Sequence, residues 1–174
     1  YCMKLAAKEL RVSEPTAAQL AKIKRRDIYI ICDNVLDTYN IGSIFRLADA
    51  VAVKCIYLCG QSETPPNARI AKASVGTDKW VKWKYAKTAA DAIRDLRFKI
   101  KDLRIVAIEQ NKKSIDFRKA NYELPIAFIV GHETDGISKE ALKLADEIVE
   151  IPMFGVNISL NVMVSLAIVL YRTL

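Results

Sequence analysis

The segment Ile28-Tyr29-Ile30-Ile31-Cys32 runs directly into Asp33-Asn34-Val35-Leu36-Asp37-Thr38-Tyr39-Asn40-Ile41-Gly42-Ser43-Ile44-Phe45-Arg46. Five apolar residues, mostly β-branched and bounded by Asp-Asn, read as a buried strand, and the periodicity that follows predicts a helix from Ile41 to Ala50. The alternation continues outward. Strands are expected at Lys54–Leu58, Trp80–Tyr85, Arg104–Ile108, Ile126–Val130 and Glu147–Ile151. Helices are expected at Pro66–Ser74, Ala89–Lys101, Lys139–Leu144 and Ser159–Thr173, with a basic helix, Pro15–Arg25, ahead of the first strand. This order specifies an α/β domain with a mainly parallel sheet flanked by helices. In such domains the ligand crevice lies beyond the carboxyl ends of the strands, which directs attention to the segments after Cys32, Val130 and Ile151.

Bulk properties narrow the class. At 174 residues and 52% apolar, the chain is one domain with a core that needs no covalent staples. Cys2, Cys32, Cys55 and Cys59 form no C-x-x-C pair and His132 is the sole histidine, so neither a zinc site nor a disulfide framework is expected. The longest apolar stretch, Ile158 to Tyr171, is interrupted by polar side chains and is short for a membrane span. The expectation is a reduced, cytoplasmic, metal-free protein.

Charge is uneven. Residues 1–26 carry seven Lys/Arg against two Glu, and residues 69–104 carry eleven Lys/Arg against four Asp. Concentrated positive charge suits a polyanion, because each neutralised phosphate releases condensed counterions. The competing reading is that these side chains merely solvate helix faces.

Three segments carry candidate chemistry. In the first, Asn40 sits where a side chain caps a helix, Gly42 permits close approach of a backbone or ligand, and Arg46 is expected toward the same side as Asn40. A capped helix with one surface Arg and a phosphate seat both fit. In the second, Val130-Gly131-His132-Glu133-Thr134-Asp135-Gly136-Ile137-Ser138, two glycines allow either a tight strand-to-helix turn or a backbone surface for a flat ligand. Glu133, at a strand's carboxyl end, suits orienting a hydroxyl or a cation. His132 lacks a titratable partner and reads as structural or as a backbone-mediated contact. In the third, Ile151-Pro152-Met153 leads to Ser159-Leu160-Asn161, where Ser159 and Asn161 either cap the last helix or position substrate. That helix is apolar on nearly every face, as when it is deeply buried or covered by a second subunit.

The ordered set Asn40-x-Gly42-x-x-x-Arg46, Gly131-x-Glu133-x-x-Gly136 and Ile151-Pro152-Met153 with Ser159-Leu160-Asn161 resembles the SpoU (TrmH-like) family of RNA 2′-O-ribose methyltransferases in the SPOUT superfamily. The resemblance spans residues 28–174, leaving 1–27 as a basic helical extension. It implies a C-terminal deep trefoil knot, a homodimer formed through the C-terminal helix, and S-adenosylmethionine as methyl donor. It further implies that Gly131, His132, Gly136, Ile151, Met153 and Leu160 hold the cofactor, and that Asn40, Arg46, Glu133, Ser159 and Asn161 are catalytic. With all five present, an active enzyme is expected, and a non-catalytic RNA-binding module of the same fold is the alternative.

The implied reaction has a ribose 2′-oxygen attack the methyl carbon of a sulfonium. The family's proposed base matches Arg46, yet a guanidinium normally stays protonated up to about pH 12.5. Two roles therefore stay open: proton acceptor in a rearranged site, or charge stabiliser for the developing alkoxide. RNA contacts are expected from Arg11, Lys22, Lys24, Arg25 and Arg26, and from Lys79, Lys82, Lys84 and Lys87 interleaved with Trp80 and Trp83, although Trp80 and Val81 alternate as strand residues do and part of the aromatic signal also reads as core. The stretch Gly76-Thr77-Asp78-Lys79-Trp80-Val81 resembles tRNA-directed members of the family slightly more, a resemblance that implies tRNA over rRNA.

Overall fold

A computed structural model describes residues 4–10 and 12–174. Two short helices, α1 (Ala7–Leu10) and α2 (Ala17–Ala21), precede strand β1 (Arg26–Asp33) and helix α3 (Thr38–Ala50). Then come β2 (Val53–Cys59), α4 (Ala68–Ser74), a 3₁₀ turn (Thr77–Lys79), β3 (Trp83–Ala86) and α5 (Ala89–Lys99). The second half holds β4 (Arg104–Ile108), β5 (Ile115–Asp116), a 3₁₀ turn (Phe117–Lys119), β6 (Ile126–Gly131), α6 (Lys139–Leu144), β7 (Glu147–Glu150) and α7 (Val162–Leu170), which ends in a 3₁₀ turn (Tyr171–Thr173).

The seven strands form one sheet in the order β3-β2-β1-β6-β4-β7-β5, every pairing parallel. β1 lies centrally, with Cys32 level with Leu58 on one side and with Val130 on the other. Its alternating side chains feed two cores. Ile28, Ile30 and Cys32 join Ile44, Phe45, Ile70, Leu166 and Val169 of α3, α4 and α7. Tyr29 and Ile31 join Ile93, Leu96, Ile137 and Ala141 on the α5 and α6 side. A strand buried on both faces needs a near-continuous apolar run, which is why this segment reads so clearly in the sequence.

Gly42 has a packing role. A methyl group there would lie 2.6 Å from Ala73 Cβ and 2.7 Å from Ile70 O, so its absence lets α3 and α4 approach closely.

Several expectations need correction. The helix expected over Pro15–Arg25 is only Ala17–Ala21, opened by a capping box between Thr16 and Gln19. The strand expected from Trp80 begins at Trp83, because Thr77–Lys79 closes a 3₁₀ turn that ends on Trp80. The last helix begins at Val162 rather than Ser159. β5, two residues long at the sheet edge, has no counterpart in the sequence reading. Among the described residues no helix is long and apolar enough to cross a membrane, and no group of three metal-ligating side chains occurs. Cys32, Cys55 and Cys59 are buried free thiols, and burial pushes Cys59 up to about 12.

Candidate active site

The loop after β1 and the loop after β6 are joined by one carboxylate. Glu133 accepts the backbone N–H of Leu36 at 3.1 Å, that of Asp37 at 3.0 Å, and Asn40 Nδ2 at 3.1 Å. Burial pushes the Glu133 carboxyl up, but these hydrogen bonds outweigh it and hold the group below its ordinary range. Glu133 is thus a fixed anion. Asn40 passes the connection on, accepting Asn161 Nδ2 on its Oδ1 at 2.8 Å. The Oδ1 of Asn161 in turn accepts the N–H groups of Met163 (2.9 Å) and Val164 (3.3 Å), capping α7. Asn161 caps the helix, and the same side chain aims its amide at Asn40.

The helix cap assigned to Asn40 belongs to Asp37, whose carboxylate accepts Tyr39 N at 2.7 Å. Asn40 lies inside the first turn of α3, 6% exposed, and its side chain is spent on the relay from Asn161 to Glu133. Arg46 does not share its side. Six residues of α-helix leave two side chains roughly 120° apart, and Arg46 is exposed where Asn40 is buried. Among the described residues the Arg46 guanidinium has no hydrogen-bond or ion-pair partner.

The segment Gly131–Gly136 closes on itself. His132 N donates to Gly136 O and Gly136 N to His132 O, both at 3.0 Å. A methyl group on Gly131 would lie 2.3 Å from the carbonyl carbon of Gly136, so this close backbone approach requires glycine. His132 Nδ1 accepts the N–H groups of Thr134 and Asp135, each at 3.1 Å, which places its ring in a structural role.

Between this loop and the carboxyl ends of β4 and β7 lies a cavity of about 330 Å³. Its walls include Gly131, His132, Glu133, Gly136, Ile151, Met153, Ser159 and Leu160, together with apolar Ile108, Val130 and Val149. Glu109, Glu133, Asp135 and Glu150 border it and, among the described residues, no Lys or Arg does, although the chain carries a net charge of +7. Asn40, Arg46 and Asn161 lie outside the lining and connect to it through Glu133 or the chain.

The sequence reading missed Glu109 and Gln110. Glu109 accepts Ile137 N at 2.8 Å and Gln110 N at 3.0 Å, and Gln110 Nε2 donates to Ile158 O at 2.6 Å. The signal was present, since both follow the carboxyl end of β4, where the crevice rule applies as it does to the other strands. Asp33, buried and accepting Ser138 N at 2.8 Å, was also missed.

The basic residues divide. Arg25 binds Asp49, Arg26 donates to the carbonyl of Thr173, and Lys79 pairs with Glu14, so these three serve internal contacts. Lys84 sits over the Tyr57 ring. Lys22, Lys24, Lys82 and Lys87 are exposed and have no partner among the described residues; Arg11 lies outside the described residues. Trp80 donates to Asp49 at 3.0 Å, and both Trp80 and Trp83 pack against the core, which removes them as open stacking platforms.

The SpoU rRNA methylase family model matches residues 27–171. The chain belongs to this family. It is similar to the tRNA (guanosine(18)-2′-O)-methyltransferase of Escherichia coli (strain K12), 34% identical over 152 residues that cover 86% of this chain and 63% of that relative. The chain therefore spans less than two thirds of the relative's length. Its fold is similar to the crystal structure of the Aquifex aeolicus TrmH/SpoU tRNA modifying enzyme, with a TM-score of 0.78 and 29% identity, covering 96% of this chain and 80% of that one. It is equally similar, at a TM-score of 0.78, to the AdoMet-bound rRNA methyltransferase from Sinorhizobium meliloti, 27% identical and covering 94% and 59% of the two chains. Within the family's shared domain, the cavity and the Asn161–Asn40–Glu133 relay occupy adjoining loops at the carboxyl edge of the sheet.

Proposed function

We propose that this chain is an S-adenosylmethionine-dependent RNA methyltransferase that modifies a ribose 2′-hydroxyl, with tRNA as its substrate. The observation that carries the reading is the double position of Glu133, which borders the cavity and holds the Asn40 relay. A small-molecule pocket and an oriented polar network thus share a side chain. The names of the Escherichia coli and Aquifex relatives support tRNA.

The cavity suits the cofactor. Its volume falls at the low end of the ~300–1,000 Å³ usual for small-molecule sites, and Ile151, Met153 and Leu160 offer apolar walls to an adenine. The bordering carboxylates suit a cation. When bound, S-adenosylmethionine supplies an electrophilic methyl group on a positively charged sulfur. In this proposal Gly131, His132, Gly136, Ile151, Met153 and Leu160 hold it, with His132 acting by shaping its own loop.

The chain's residues then divide the work. Glu133, already committed to three N–H donors, positions Asn40 rather than moving a proton. Asn40 and Asn161 fix the loops on either side of the substrate ribose, and Ser159 contributes a hydroxyl at the cavity wall. Arg46, exposed and without a partner among the described residues, stabilises phosphate or the developing alkoxide, while the hydroxyl proton passes to solvent. Lys22, Lys24, Lys82 and Lys87 supply phosphate contacts.

The proposal includes the knot and the homodimer that the family resemblance implies, a cytoplasmic location, and the division into an extension (1–27) and a catalytic domain (28–174). Exposed Val164, Ile168 and Tyr171 along the last helix support the dimer.

The test is transfer of a labelled methyl group from S-adenosylmethionine to total tRNA and, separately, to rRNA. The expected product is a 2′-O-methyl nucleotide in tRNA, absent with Arg46→Ala. Label in rRNA alone would reassign the substrate, and label in neither would overturn the reading.

A further inference from the structure

The two loops that wall the cavity follow successive strands, residues 131–137 after β6 and residues 152–160 after β7. Both are tied to one dipeptide at the end of β4. Glu109 accepts Ile137 N at 2.8 Å, and its carboxylate also packs against Gly136, where an added methyl group would meet Glu109 Oε2 at 2.2 Å. Gln110 donates its Nε2 to Ile158 O at 2.6 Å. The remainder of the second loop has little else to hold it: Phe154, Val156 and Ile158 are 93%, 101% and 75% exposed, and nothing lies within 4 Å of a methyl group placed on Gly155.

We infer that Glu109 and Gln110 form a clamp that sets the width of the cofactor cavity, with Gln110 as the positioning residue that holds the 152–160 wall against the bound ligand. The inference rests on the methyltransferase reading for the identity of that ligand. The two residues contribute differently. Ile137 is buried, so the Glu109 bond keeps a backbone N–H satisfied inside the protein and belongs to the fold as well as to the site. Gln110 is exposed and reaches an exposed carbonyl, so its bond adds little to global stability. What it restrains is a wall carrying Ile158, Ser159 and Leu160. Without that donor, the wall has more conformations in the free protein, and ordering it on binding costs affinity.

Gln110→Ala and the isosteric Gln110→Glu separate this role from a structural one. Glu retains the shape but offers no N–H and sets a carboxylate against the Ile158 carbonyl. Calorimetry with S-adenosylmethionine and with S-adenosylhomocysteine should show wild type binding both. Each variant should bind them roughly two- to tenfold more weakly, the net worth of one hydrogen bond, with Gln110→Glu at least as weak as Gln110→Ala. The midpoint of thermal unfolding should stay within a degree or so of wild type. In steady state, KM for S-adenosylmethionine should rise while KM for tRNA and kcat hold. Variants that bind like wild type, or that lose binding only in step with stability, overturn the clamp. Failure of the functional reading shows elsewhere, as absence of binding to the wild-type protein.

Discussion

Replacing Glu133 by Gln tests the relay most directly. The carboxylate uses Oε1 for Asp37 N and Asn40 Nδ2, and Oε2 for Leu36 N. A carboxamide has one acceptor oxygen, so whichever way it turns, its NH₂ faces at least one N–H donor. The better orientation keeps Oε1 on Asp37 and Asn40 and loses Leu36. Hydrogen bonds to a charged group contribute about 1.5–3 kcal/mol and neutral ones about 0.5–1.5 kcal/mol. One bond lost and two weakened, discounted for solvent exposure, come to about 2 kcal/mol. In a domain of this size that is a fall of about 4–8 °C in the unfolding midpoint at pH 7. The pH dependence has a definite sign. Because the folded-state carboxyl titrates below its ordinary value, its contribution is complete above about pH 4.3 and is lost as pH falls through the folded value. The gap between wild type and variant should therefore close in acid, followed by circular dichroism melts from pH 7 to pH 3. Methyl transfer should fall only severalfold in Glu133→Gln, which still holds Asn40, and about a hundredfold in Glu133→Ala, which releases it. Equal midpoints at pH 7, or a gap that persists unchanged to pH 3, would refute the assignment of Glu133 as a fixed anion organising this loop.

Arg46→Ala should reduce methyl transfer by about 10²–10³ with a stability change within about 0.5 kcal/mol, since the side chain is exposed and has no partner among the described residues; single-turnover kinetics and melting curves measure the two effects. Asn161→Asp should keep the α7 cap and hence the melting midpoint, yet lose activity because an acceptor then faces Asn40 Oδ1, whereas Asn161→Ala should lose activity and about 1 kcal/mol of stability. Gly131→Ala, which forces a methyl group into the Gly136 backbone, should destabilise by about 1–3 kcal/mol and weaken cofactor binding in calorimetry. Removing both Lys82 and Lys87 should leave the fold intact and lower the slope of log K against log salt for tRNA binding by about 1.5, read from filter binding over a salt series.

The central strands were legible because burial on both faces demands unbroken apolar runs, as at Ile28–Cys32 and Ile126–Val130. Elements with little burial were not. β5 is two half-buried residues at the sheet edge, and nothing in Ile115-Asp116 distinguishes it from a turn. Trp80 alternates with Val81 as a strand residue does, but local hydrogen bonding claims it for a 3₁₀ turn. Of the candidate site, Glu133, Asn40 and Asn161 were picked out as individuals, while their linkage was not, because the contacts join positions 93 and 121 residues apart. Assigning Arg46 to the side of Asn40 failed on helix geometry alone, since six residues fall well short of two full turns. Glu109 and Gln110 follow the end of β4, a strand end that borders the cavity beside those of β6 and β7, whereas the segment after β1 reaches it only through Glu133.

The scaffold and the site are stabilised by different physics. The sheet rests on large fully buried side chains such as Phe45, Phe128 and Ile30, whose truncation leaves a cavity that cannot relax. The loops around the cavity instead carry exposed side chains, Phe154, Val156 and Ile158 among them, and hold their shape through individual hydrogen bonds made by Glu133, Asn161, Glu109 and Gln110. Each such bond contributes modestly in water, and more once bound ligands exclude solvent. Gln110 should therefore appear nearly neutral in unfolding experiments on the free protein and consequential in binding and turnover, whereas Glu133, Asn161 and the buried bond from Glu109 to Ile137 should register in both. A site built this way can change its ligand preference through its loops while the sheet beneath it stays unchanged.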